Sequence, residues 1–174
     1  MSKVLETAVQ YAAKEADFYK VREQGVNRGP RVEMYLKAVG VPAGNPWCAS
    51  FVSWCLLQAG MTKGQMPINP ASVCNWVAWG EKQNIVSTRW ELGQRGDLFA
   101  WCFKNKWKGH IGFFLEAKKI GPFWFIRTIE GNSNEQGSRE GDGVVRHGRQ
   151  KDKTHAKWRL VRKDFVLIRL SKIM

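Results

Sequence analysis

The feature that most constrains this chain is a change of hydrophobic period near Gly96. Before it, Val4, Leu5, Ala8, Tyr11, Ala12 and Ala16 recur at helical spacing with Lys and Glu between them, which predicts an amphipathic helix over residues 3 to 19. Gly25 to Gly29 ends it in a turn, and PRVEMYLKAV, residues 30 to 39, predicts a second short helix with Pro30 in its first turn. WCASFVSWCLLQAG is apolar on nearly every side and closed by Gly60, so it reads as a buried helix. NPASVCNWVAWGEK gives a fourth, with Asn69 or Ser72 as its cap. After Gly96 the runs DLFAWCF, HIGFFLEA, FWFIRTIE, GVVRHG and DFVLIRL are short, aromatic or β-branched, and bounded by turn residues, which predicts strands. Helices first and strands second is the pattern of an α+β domain, N-terminal helices packed against a C-terminal antiparallel β-sheet. At 174 residues, with no repeat and no linker, residues 1–174 are expected to form one domain.

Charge narrows the partners. Lys and Arg outnumber Asp and Glu by 28 to 15, a net +13. From Arg146 to Met174 there are ten basic and two acidic residues, so this stretch holds +8 of the total. Such a surface attracts any polyanion, whether nucleic acid, anionic lipid or the bacterial envelope. A binding protein for wall polymer or nucleic acid, without catalysis, is therefore one reading of the composition. No recognisable nucleic-acid motif supports it. The opening MSKVLETAVQYAAKEADFYK has scattered charges and no apolar core, so no secretory signal is expected, and no run approaches the roughly 18 apolar residues of a membrane span.

Cysteines carry the chemistry. Those at 48, 55, 74 and 102 lack CxxC spacing and have no His at zinc-finger distance, so no structural metal site is expected. Synthesis in the cytoplasm implies reduced thiols. In Gly44-Asn45-Pro46-Trp47-Cys48, Asn45 reads as an N-cap and Pro46 as the first helical residue, which puts Cys48 in the first turn. There the free backbone amides and the helix dipole favour negative charge on sulfur, the reactive form. Cys55, Cys74 and Cys102 fall inside apolar helix or strand patterns and read as core.

A thiol nucleophile needs a base, and the base needs an orienting partner on its other nitrogen. Of three histidines, His147 and His155 lie in the basic C-terminal stretch and are expected to be exposed. His110 opens a strand in Gly109-His110-Ile111-Gly112, between glycines that permit close approach. Glu130 and Asn132, two apart at the end of the next strand, share a face if the extended geometry persists. Either could then serve His110.

PWCASFVSWC, RGDLFAW, GHIGFF and IEGNSN, in that order, resemble the cysteine, histidine-dependent amidohydrolase/peptidase (CHAP) family, over roughly Asn27 to Arg149. The upstream PRVEMYLKAVG resembles the helix before the nucleophile in one branch of that family. The resemblance implies a papain-like α+β fold and cleavage of peptidoglycan, as an amidase or as an endopeptidase. It implies Cys48 as nucleophile, His110 as base, Glu130 as the orienting acid and Asn132 as the polar residue that follows. Some members carry an Asp-rich calcium loop before the nucleophile; GVPAGNPW has no carboxylate, so calcium is not expected, and the Cys-His mechanism that the resemblance implies needs no cofactor. The expected setting is a phage-type lysis enzyme, or a secreted antibacterial effector with an immunity protein as partner. The protein is expected to act as a monomer on the cell wall after release or secretion.

Overall fold

The computed structural model describes residues 2–103, 108–136, 140–148 and 158–174. Four helices come first: α1 (Lys3–Asp17), α2 (Pro30–Ala38), α3 (Cys48–Gln58) and α4 (Val73–Lys82). The strands are β1 (Val86–Ser87), β2 (Leu98–Phe103), β3 (Lys108–Ile120), β4 (Phe123–Ser133), β5 (Gly143–His147), β6 (Arg159–Leu160) and β7 (Val166–Ile168). They form one antiparallel sheet in the order β1-β7-β2-β3-β4-β5, and β6 pairs with β4. This is the α+β architecture read from the sequence. Among the described residues, no helix is long and apolar enough to cross a membrane.

The period-2 alternation of the strands builds two cores. Leu98, Ala100, Ile111, Phe113, Ile129 and Ile168 join the helices on one face. On the other, Phe99, Trp101, Phe114, Ile126 and Leu167 pack with Trp90 and Phe165. Helix α3 is wrapped on nearly all sides, with nine of its residues buried. Fully covering a side chain such as Phe51 contributes about 1.5–3 kcal/mol.

A buried ion cluster fixes the helices against one another. The Arg31 guanidinium forks onto Glu15, which is 1% exposed, and the Tyr35 hydroxyl donates to the same carboxylate. This clamps α2 to α1. Tyr35 then lies against Trp47 and Phe51, with ring centres 5.7 and 5.3 Å away, so the start of α3 rests on an aromatic bed.

Two expectations need correction here. Helix α3 begins at Cys48 with Trp47 as its capping residue, not at Pro46. Asn45 instead donates its side-chain amide to the Pro42 carbonyl, closing the turn that leads into the helix. Cys48 still stands in the first turn. Cys74 and Cys102 are not free core thiols: they form a disulfide, with Cα atoms 5.4 Å apart, between the start of α4 and the end of β2. Cys48 and Cys55 are free and buried.

Candidate active site

The first turn of α3 is positioned by the residue before it. Trp47 is fully buried, and its indole N–H donates to Glu23 Oε1 at 2.7 Å. Its carbonyl accepts the first helical hydrogen bond, from the Phe51 amide at 2.8 Å. The amide N–H groups of a helix's first turn have no intrahelical acceptor, so the end that carries Cys48 presents donors and a partial positive charge. Cys48 itself is 5% exposed.

His110 comes from the third residue of β3, opposite Trp101 of β2. It sits on the sheet face of Phe99, 6.1 Å from that ring, and is fully buried. Its Nε2 lies 2.7 Å from Glu130 Oε2. That leaves Nδ1, buried and without a hydrogen-bond partner among the described residues, as the nitrogen available to the Cys48 thiol. Burial disfavours the charged ring, but the interactions with Cys48 and Glu130 outweigh it and raise the His110 pKa to about 9. The ring therefore holds its proton at neutral pH.

Glycines let these pieces meet. A Cβ on Gly112 would come within 2.7 Å of the Phe99 ring and 2.8 Å of Glu130 Cγ, so only glycine leaves the carboxylate its place. A Cβ on Gly131 would meet Phe51 Cβ at 2.7 Å, so this glycine lets α3 lie directly on β4. A Cβ on Gly109 would meet the Trp101 carbonyl at 2.6 Å. The glycines around His110 thus serve the close backbone approach that their positions suggested.

Glu130 is completely buried and surrounded by donors. Arg159 grips it with two of its nitrogens, Nε on Oε1 at 2.7 Å and Nη2 on Oε2. The Thr128 hydroxyl donates to Oε1 at 2.5 Å and the Ser133 hydroxyl to Oε2 at 3.3 Å. His147 Nε2 stands 3.7 Å from Oε1. Burial alone would favour a protonated acid, but Arg159, His147 and His110 together hold it well below the usual carboxylate range.

Asn132 does not share Glu130's position. The pairing of β4 with β5 shifts register between Glu130 and Ser133, and Asn132 takes a left-handed backbone with φ 54°. With its amide oriented to suit its neighbours, the side-chain nitrogen donates to the Gly141 carbonyl at 2.7 Å and the oxygen accepts from the Trp47 amide at 3.3 Å. Asn132 in this orientation ties the end of β4 to the residue before Cys48, and the hydrogen bond to His110 comes from Glu130.

Sequence reasoning missed two residues of this cluster. His147, expected at the surface, is 6% exposed and lies beside Glu130; burial lowers its pKa, as do Arg159 and His110, against the pull of Glu130. Arg159, one of the ten basic residues counted as surface charge, is the principal partner of a buried acid. The periodicity of GVVRHG carried the signal for His147, since Val145 and His147 alternate with the half-buried Arg146. Nothing local announced Arg159. His155 lies outside the described residues.

A family model for the CHAP domain matches residues 40–132, over half of the chain. The chain belongs to the CHAP family. Membership makes the fold papain-like and places the protein among amidases and peptidases. No curated protein matches the chain, and no solved structure matches it. The CHAP match takes in Cys48, His110, Glu130 and Asn132 but stops short of His147 and Arg159. Among the described residues, no group of three or more His, Cys, Asp or Glu side chains is arranged to hold a metal ion.

Proposed function

We propose that this protein is a cysteine hydrolase that cleaves an amide or peptide bond in bacterial peptidoglycan, with residues 1–174 working as one catalytic domain. The observation that carries the reading is His110 itself, buried with one nitrogen held by Glu130 and the other left to Cys48. Elements outside the family match support the single domain: α1 packs on α3, and β5 to β7 complete the sheet.

In this mechanism Cys48 Sγ attacks the carbonyl carbon, and the electron pair moves to its oxygen. Asn132 engages the Trp47 amide, which leaves the Cys48 N–H as donor to the oxyanion. His110, protonated at neutral pH, delivers its proton to the leaving amine as the C–N bond breaks. His110, now neutral, takes a proton from water, whose oxygen attacks the thioester; Sγ departs and the acid product forms. Glu130 keeps the ring oriented throughout and stays ionised.

The Cys74–Cys102 disulfide supports work outside the reducing cytoplasm, since such bonds persist in oxidising compartments. A lysis enzyme released to the wall and a delivered antibacterial effector both fit that setting, and the effector would be neutralised at home by an immunity protein covering the Cys48 site. Mass spectrometry of the fragments released from purified sacculi tests the substrate. Free stem peptides identify an amidase, and trimmed disaccharide peptides or opened cross-links identify an endopeptidase. Intact sacculi across several wall chemotypes, with the protein folded, would refute the wall substrate.

A further inference from the structure

We infer that Arg159, contributed by a strand outside the family-matched region, is a positioning residue for the catalytic centre: it locks Glu130 as a carboxylate aimed at His110. The inference rests on the catalytic reading of Cys48 and His110, and not on the identity of the substrate.

The geometry makes the case. Among the described residues, five hydrogen bonds converge on Glu130: from Arg159 Nε and the Thr128 hydroxyl on Oε1, and from His110 Nε2, Arg159 Nη2 and the Ser133 hydroxyl on Oε2. No oxygen is left over to carry a proton without breaking one of them. A guanidinium meets a carboxylate through two parallel N–H bonds, which fixes orientation as well as charge. Arg159 is itself held, 5.3 Å over the Phe99 ring, and Phe99 is also the neighbour of His110. Its side chain is 11% exposed, so solvent screens the pair little.

The charge balance explains why an arginine stands there. The groups facing Glu130 are His110 from β3, His147 from β5 and Arg159 from β6, with Thr128 and Ser133 from β4 itself. His147 is further influenced by Glu135. Facing His110 are Glu130 and Cys48. Without Arg159, a buried Glu130 would relieve its own desolvation by taking the proton from His110, leaving a neutral acid beside a neutral ring. Cys48 would then lose the cation that stabilises its charged form. Arg159 removes that option by making the carboxylate the favoured state.

The test reads Cys48 directly. Wild type, Arg159→Gln and Arg159→Lys are alkylated with iodoacetamide from pH 4 to 10, with modification at Cys48 quantified by peptide mass spectrometry and folding checked by circular dichroism. The expected result for Arg159→Gln is a rise of the acid limb by about one pH unit or more, with alkylation near pH 6 slowed about tenfold. Sacculus digestion should lose about ten- to a hundredfold in kcat with little change in KM. Arg159→Lys, which keeps charge and loses the fork, should fall between the two; if Arg159→Gln does not fold, this variant carries the same comparison. Alkylation profiles and kcat that match wild type would overturn the inference. An Arg159-sensitive profile in a protein that leaves every sacculus intact would sustain Arg159's role and overturn the wall substrate instead.

Discussion

Glu130 Oε2 and His110 Nε2 stand 2.7 Å apart inside the protein, and this pairing leaves the other imidazole nitrogen available to Cys48, which also acts on the ring. Glu130→Gln replaces an acceptor by a group that also donates, so the ring loses its fixed tautomer and Arg159 is left facing a neutral amide. Turnover is expected to fall about 10²–10⁴-fold while secondary structure is retained, as measured by kinetics and circular dichroism on the same preparation.

The pH dependence follows from the same pair. His110 titrates near 9 in the folded protein against an ordinary value of 6.5, so its contribution to stability is complete below about pH 6.5 and is lost as pH rises through 9. Glu130 is depressed, so its contribution is present above the usual carboxylate range and lost in acid. Activity should decline on the alkaline side near pH 9, where His110 no longer carries the proton for the leaving amine. Profiles of rate between pH 5 and 10, and of thermal midpoint from strong acid to pH 10, check both. A rate still climbing through pH 10 would contradict the assignment of His110 as the acid.

Gly112→Ala should damage the site more than the fold. The new Cβ would stand 2.8 Å from Glu130 Cγ, so the carboxylate or the Phe99 ring has to move. Overpacking of this kind costs about 1–3 kcal/mol. The expected outcome is a modest drop in denaturation midpoint with a loss of kcat well beyond it; an equal loss in the two would mean that Gly112 serves packing alone.

Reduction of Cys74–Cys102 opens a loop with a sequence separation of 28 residues, for which chain entropy predicts about 3–4 kcal/mol of lost stability. For a chain of this size that is roughly a 10 °C fall in thermal midpoint. Cys102 lies opposite Gly109 in the sheet, next to His110, so reduction should also lower activity. Calorimetry with and without dithiothreitol reads the stability, and Cys74→Ala separates the disulfide from side reactions at Cys48.

Much of this was legible in the sequence because it is local. The periodicity of α1 and the GHIG and IEGN segments report short-range geometry, so the four helices and the longer strands could be read from the residues, and the family resemblance singled out Cys48, His110 and Glu130, whereas the two-residue strands β1 and β6 carry too little pattern to show. What was not legible depends on contacts across the chain. Arg159 reaches Glu130 from 29 residues away, and its surroundings read as a solvated basic run. Cys74 and Cys102 pair because α4 lies over the end of β2, which no spacing reveals. Asn132 turns away from Glu130 because the strand changes register, a departure from the alternation on which its expected role rested.

The central claim, that Cys48 performs nucleophilic chemistry on the bacterial wall, is tested most directly by digesting purified sacculi with wild type and with Cys48→Ala at matched folded concentration. Soluble fragments are expected from the wild type and none above background from Cys48→Ala. Equal release by the two proteins would contradict it.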